Sequence, residues 1–311
     1  IPTGIDFGTV TLIYKSKPYE VTTLRSDINP DGRHTKVAYT KDWQTDAMRR
    51  DFTFNALYMD CNQEIDDFFN GREDLEKGIV RFIGEAEERI KEDYLRILRM
   101  FRFHCYCGEG DILQSQLKAV ESLKSGLSKI SAERIYSELM KILAHPKRFN
   151  ALIPMQRHGI LSEIFGCEII FDCEKENQDI YHHITNPLIA LYSIIENPSD
   201  EKVAHIIERL KLSKKEKATL QKLKNYDQVN YNSDFETKKA IIKYGKEAFE
   251  NLISIALLKN LISENDYKKL LNFSHEFEIP EFPLSGKDFK KQGYQQGREI
   301  GQKLKEARNI W

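Results

Sequence analysis

The chain has 311 residues, 41% of them hydrophobic and 31% charged, enough for several packed modules and too large to need staples. No apolar run approaches the roughly 18 residues of a membrane helix. Forty-seven Lys and Arg against 48 Asp and Glu exclude a global basic field, so any polyanion site must be a local patch. The five cysteines lack paired zinc spacing and read as buried free thiols in a reducing compartment, hence a cytoplasmic protein. No targeting segment is visible.

In chain order, Thr9 to Tyr14 and Tyr19 to Leu24 are β-branched and aromatic around the polar turn Lys15–Pro18, a hairpin. Asn29-Pro-Asp-Gly32 is a turn signal. Phe54 to Met59 and Ile65 to Phe69 form a second apolar pair around Asp60-Cys-Asn62. Beyond Gly84 helical periodicity takes over, with breaks near Cys107–Gly110, His145-Pro146, His158-Gly159, Asn186-Pro187, Asn197-Pro198 and Ile279-Pro280. The chain is therefore α+β, an α/β piece followed by a larger all-helical one.

The sharpest local feature is Glu92-Asp-Tyr-Leu-Arg-Ile-Leu-Arg-Met-Phe-Arg-Phe103. On one continuous helix, Ile90, Tyr94, Ile97, Leu98 and Phe101 make an apolar stripe, and Asp93, Arg96, Arg99 and Arg102 make a row opposite. Three neighbouring guanidiniums repel unless something anionic sits among them. A carboxylate only accepts hydrogen bonds and a guanidinium only donates them. Side by side, Asp93 and Arg96 complement an amino donor next to a ring-nitrogen acceptor, the edge shared by cytosine and adenine. Uracil and guanine set like against like and are rejected through unpaired polar groups. A solvated face with ion pairs three residues apart is the plainer alternative.

Arg49-Arg50-Asp51-Phe-Thr-Phe-Asn55 offers two arginines for a triphosphate, and Asp51 with Asn55 for a ribose hydroxyl. In Asp67–Leu75, Gly71 permits a tight turn and the acids cap the following helix. Asp31-Gly-Arg-His34 lies in a polar loop.

Taken in order, IPTGIDFGTVTL, YEVTTLRSD, DGRH, RRDFTFNAL, DFFNGREDL, EDYLRILRMFRF and SAERIYSELMKIL resemble class II (bacterial-type) tRNA nucleotidyltransferases, the CCA-adding enzymes of the polymerase β superfamily. PLSGKDF and GREIGQKLKEA resemble the family's tail. The resemblance implies a nucleotidyltransferase head over 1–83, a helical neck with the base template over 84–145, a helical body over 146–212 and a tRNA-binding tail over 213–311. It implies template-independent addition of C, C and A to the 3′ end of tRNA from CTP and ATP, with Mg²⁺. Base reading falls to Asp93 and Arg96, extended by Arg99 and Arg102. Ribose and phosphate binding falls to Arg49, Arg50 and Asp51, switching from C to A to the DGRH loop, and support of the neck to Glu133 and Arg134.

The family's Asp-x-Asp metal pair is expected before Ile1, so the chain as given is expected to be inactive alone. Glu20 is the candidate third carboxylate, catalytic and metal-binding, with an outward strand residue as the alternative. An A-adding or CC-adding enzyme, a poly(A) polymerase and a non-catalytic RNA-binding remnant are the other readings. Residues 207–227 carry seven Lys or Arg against three acids, and 281–311 seven against four, suited to tRNA phosphates. Gly297–Gly301 offers a helix N-terminus.

Overall fold

The computed structural model describes residues 4–28, 36–171, 184, 186–195, 198–294 and 297–310. Strand β1 (Thr9–Tyr14) pairs antiparallel with β2 (Lys17–Thr22), Thr9 facing Thr22 and Tyr14 facing Lys17. The turn is tighter than the sequence suggested. Lys15 and Ser16 both take positive φ (47° and 62°), so two residues close the hairpin and Pro18 joins the strand. Such a turn matches the right-handed twist of the strands it joins, and proline is tolerated there because β2 is an edge.

Strands β3 (Arg25–Ile28) and β4 (Lys36–Tyr39) form a second antiparallel pair, and β5 (Leu57–Met59) and β6 (Ile65–Asp67) a third. Among the described residues the three pairs do not join into one sheet. The Asn29–Gly32 turn and the DGRH loop lie outside the described residues. Helix α1 (Trp43–Met48) precedes the Arg49-Arg50-Asp51 segment, capped by Asp42, whose carboxylate accepts from the amides of Gln44 and Thr45. Helix α2 (Gly71–Glu76) follows β6. It is Asn70, not Gly71, that turns left-handed (φ 58°). Gly71 is required by close approach, since a Cβ there would lie 2.3 Å from the carbonyl oxygen of Thr53.

From residue 84 onward the described residues are helical: α3 (Ala86–Glu92), α4 (Arg96–Cys107), α5 (Gln114–Leu123), α6 (Ala132–Ala144), α7 (Phe149–Arg157) and α8 (Ile160–Phe165). Next come α9 (Pro187–Ser193), α10 (Asp200–Arg209), α11 (Lys214–Leu223) and α12 (Asp234–Tyr244). The series ends with α13 (Lys246–Leu258), α14 (Glu264–Glu276), α15 (Gly286–Lys291) and α16 (Arg298–Ile310). Several breaks fall where the sequence put them. Asn186 caps α9 with Pro187 in its first turn, Gly159 is left-handed (φ 72°) between α7 and α8, and His145 ends α6. The Asn197 break lies outside the described residues. None of the helices described is long and apolar enough to cross a membrane.

One hydrophobic core runs from Phe52 through α4, α6, α7, α8 and α9 to Leu223, Ile255 and Leu258, continuous across the boundaries expected at 145/146 and 212/213. A second gathers Ile241, Phe249, Ile253 and Leu270 in the tail. Among the described residues the head, besides Phe52, Val80 and Phe82 in the main core, keeps a cluster of Ala47, Ala56 and Ile83, with Tyr58 and Phe69 against it. Its hairpin β1–β2 leaves Val10, Leu12, Tyr19 and Val21 exposed. Cys105 is buried, which pushes its thiol up to about 12. Cys61, expected inside, is exposed on the β5–β6 turn, and Cys173 lies outside the described residues.

Candidate nucleotide site

The continuous helix expected through Glu92–Phe103 is broken. Helix α3 stops at Glu92, and Asp93 is extended (φ −155°, ψ 105°) before α4 begins at Arg96. Asp93 makes the break: its Oδ1 accepts from the amide of Leu95 at 3.1 Å and its carbonyl from that of Arg96 at 3.0 Å. Short acidic side chains compete for backbone donors in this way and favour helix starts over interiors. The apolar stripe survives the break, since Ile90, Ile97, Leu98 and Phe101 are all buried, so periodicity alone could not reveal it.

The break sets Asp93 and Arg96 into one cavity of about 410 Å³, lined also by Arg49, Arg50, Asp51, Asn55, Arg99 and Phe103. Seven of the eight residues expected to bind nucleotide thus converge. Arg102 does not line it. Its Nε turns to Glu138 of α6 at 2.6 Å, and its guanidinium stacks 4.1 Å from the ring centroid of Phe103. Four residues of helix separate Arg99 from Phe103, and Arg102 falls off that face toward α6. Arg102→Ala is expected to destabilise the fold by about 3 kcal/mol, because Glu138 is left buried and half-paired with only Lys141. The CTP-to-UTP preference should stay unchanged, which thermal melts and nucleotide titrations check together.

The expected repulsion among the arginines is relieved by protein carboxylates. Arg99 Nε donates to Asp51 Oδ2 at 2.6 Å, and Arg96 Nη1 to Glu92 Oε2 at 2.5 Å. Asp93 and Arg96 share no ion pair; Asp93 Oδ2 instead accepts from Arg134 of α6 at 2.7 Å. Burial favours a neutral Asp51, but Arg99, Asn55 and Arg96 outweigh it and hold that carboxyl below its ordinary range. Asn55 Nδ2 donates to Asp51 Oδ1 at 2.9 Å.

Beneath the cavity lies Asp46, 1% exposed and not singled out from the sequence. It accepts from the Arg25 amide (3.0 Å), Arg49 Nε (2.9 Å), Arg50 Nη2 (3.2 Å) and the Tyr58 hydroxyl (2.5 Å). Burial opposes its charge, yet the bonds from Tyr58, Arg25 and Arg49 win and hold its carboxyl at about 2. The signal in the sequence was its spacing, three and four residues before Arg49 and Arg50. Across the ion pairs, six guanidiniums (Arg49, Arg50, Arg89, Arg96, Arg99, Arg134) share four carboxylates (Asp46, Asp51, Glu92, Asp93), a local surplus of two positive charges. That surplus suits a polyphosphate. A larger cavity, about 850 Å³ between α3 and α5, mixes Glu85, Glu87 and Glu88 with Lys91 and Lys118 and has no comparable convergence of guanidiniums.

Glu20 stands exposed on β2, opposite Thr11. Among the described residues no three His, Cys, Asp or Glu side chains gather to hold a metal ion. The described residues therefore do not by themselves make up a Mg²⁺ site; the carboxylates expected to partner Glu20 are the Asp-x-Asp pair, which is not among them. What the described residues do form is one cavity whose lining sets carboxylates among guanidiniums.

Residues 1–81 match the family described as Poly A polymerase head domain, and residues 111–167 the family described as Probable RNA and SrmB- binding site of polymerase A. The mitochondrial CCA tRNA nucleotidyltransferase 1 of Danio rerio is 36% identical over 99% of this chain and 72% of its own length. The CCA-adding enzyme of Streptococcus sanguinis is 42% identical over 57% of this chain and 46% of its own. Among solved structures, the Bacillus stearothermophilus CCA-adding enzyme in complex with CTP shares the fold (TM-score 0.76, 24% identity, 99% of this chain and 78% of that one). With a relative this similar across nearly the whole of this chain and 72% of its own length, the chain belongs to the CCA tRNA nucleotidyltransferase family.

Proposed function

We propose that this protein adds C, C and A to the 3′ end of tRNA from CTP and ATP without a nucleic-acid template. The observation that carries the reading is the cavity in which Asp93 and Arg96 stand together above an arginine-rich floor. Arg49 and Arg50, both held by Asp46, face the triphosphate. Asp51 and Asn55 take a ribose hydroxyl, and Asp93 with Arg96 reads the base edge by polarity. Residues 1–83 and 84–145 then supply the two walls of the site, while the body (146–212) and tail (213–311) hold the tRNA. On α11, Lys214, Lys215, Lys217 and Lys222 are exposed, without a carboxylate within ion-pair reach among the described residues, and are proposed to meet phosphates. Mg²⁺ is proposed as the cofactor of transfer. The unpaired cysteines favour a reducing compartment, and the cytoplasm is proposed.

The test offers the full-length protein, with the Asp-x-Asp pair the family uses, a tRNA transcript lacking its last three residues, with each nucleoside triphosphate alone and together. A product ending in CCA is expected; a homopolymer of A, or arrest after CC, would replace the reading with poly(A) or CC addition. Arg50→Ala is expected to weaken both CTP and ATP binding about tenfold, the worth of a charge-assisted hydrogen bond to phosphate. Unchanged titration curves would remove Arg50 from the site.

A further inference from the structure

Arg89 lies outside the cavity lining, on α3, with its side chain 11% exposed. Its guanidinium is nonetheless committed to the site from behind. Nη2 donates to the carbonyl oxygens of Arg49 and Arg50 at 2.9 and 2.6 Å. Nη1 donates to both oxygens of Glu92 at 2.7 and 2.5 Å. These carbonyls are available because α1 has just ended at Met48, and the last carbonyls of a helix lack partners within it. Glu92 in turn receives Arg96 at 2.5 Å, and Arg96 also reaches the carbonyls of Arg89 (2.8 Å) and Arg49 (3.4 Å). Two guanidiniums, one behind the site and one in it, thus converge on a single carboxylate and on the Arg49 carbonyl.

We propose that Arg89 is a positioning residue that ties the phosphate-facing Arg49-Arg50 segment to the base-reading Arg96, so that the two halves of the nucleotide site keep one spacing. The proposal rests on the nucleotide reading of the cavity. Arg89 touches no substrate; it acts through Glu92 and two backbone carbonyls. Base discrimination by polarity is sensitive to such placement, because a donor displaced by a fraction of an ångström no longer separates a ring acceptor from a ring N–H. A planar fork with donors on two nitrogens suits the task, whereas a lysine ammonium at the same place cannot reach two carbonyls and a carboxylate at once.

The experiment measures binding of CTP, ATP, UTP and GTP to the full chain and to Arg89→Met, Arg89→Lys and Asp93→Ala, with thermal melts alongside. Both Arg89 variants are expected to lose about tenfold in the CTP-to-UTP affinity ratio, the effect of misaligning one hydrogen bond to a charged group. Should Arg89→Met fail to fold, Arg89→Lys decides, since it keeps the charge and most of the stem. A parent-like ratio in the folded Arg89 variants, with Asp93→Ala relaxed, overturns the positioning role alone. A parent-like ratio in Asp93→Ala as well overturns the base-reading site, and Arg89's role falls with it.

Discussion

Asp93→Ala is expected to lower the preference for CTP and ATP over UTP and GTP by one to two orders of magnitude. In the proposed reading the side chain accepts from the amino group of the favoured bases, and its charge repels the carbonyl that uracil and guanine present there. Removing it costs the favoured bases a hydrogen bond and relieves the disfavoured ones of a repulsion. A good bidentate polar contact to a base is worth about 1–3 kcal/mol, and about 1.4 kcal/mol is tenfold. The competing account makes Asp93 a structural residue, since it also caps the turn into α4 and pairs with Arg134. That account predicts a uniform loss for all four nucleotides together with a lower melting temperature. Asp93→Asn separates the two, because asparagine caps nearly as well but loses the charge. Relaxed selectivity at an unchanged melting temperature supports base reading; misincorporation and titration with all four triphosphates are the measurements.

Asp46→Ala is expected to be the most damaging single change to the site's scaffold, destabilising the fold by about 3–5 kcal/mol. It strands Arg49, Arg50, the Tyr58 hydroxyl and the Arg25 amide around a void, in a head whose own buried apolar cluster is only three residues. Nucleotide binding should collapse with it, as both phosphate-side arginines lose their common anchor. The same carboxylate sets an acid limit. Its folded-state pKa is lowered to about 2 from 3.8, so its contribution is complete above pH 4 and is lost as pH falls through 2. A shift of that size corresponds to about 2 kcal/mol. Denaturant titrations at pH 7 and pH 2 should show the gap between parent and Asp46→Asn narrowing at the lower pH; a gap that is the same at both would contradict the assignment.

The two variants probe different levels of legibility. Asp93 was singled out because its chemistry is local: a carboxylate three residues from a guanidinium is a statement about hydrogen-bond polarity that needs no fold, and the structure places both in one cavity. Asp46 was not singled out, although its spacing to Arg49 and Arg50 is a local signal. Its importance comes from Tyr58 and the Arg25 amide, which reach it from β5 and β3. Arg89 was passed over for a similar reason, since its acceptors are backbone carbonyls some forty residues away.

By itself the sequence determined the α+β order, the change to helices after Gly84, a hairpin beginning at Thr9, though with a longer turn and a later end than the structure has, and the set of polar residues from which the site is made. These follow from side-chain periodicity, turn chemistry and donor–acceptor type, which act over a few residues. Tertiary structure decided the rest. It decided that the helix breaks at Asp93, because a cap competes there with a stripe that stays apolar across the break. Arg102 leaves the cavity because the buried carboxylate of Glu138, on α6, offers it a partner. Glu20 lies on an exposed strand opposite Thr11, and its metal role stays a proposal that rests on the expected Asp-x-Asp pair. For Arg102 the deciding energy is a desolvated charge finding its counter-charge across the fold, a term with no signature in local sequence, whereas the break at Asp93 is a local cap hidden by an apolar stripe that runs on across it.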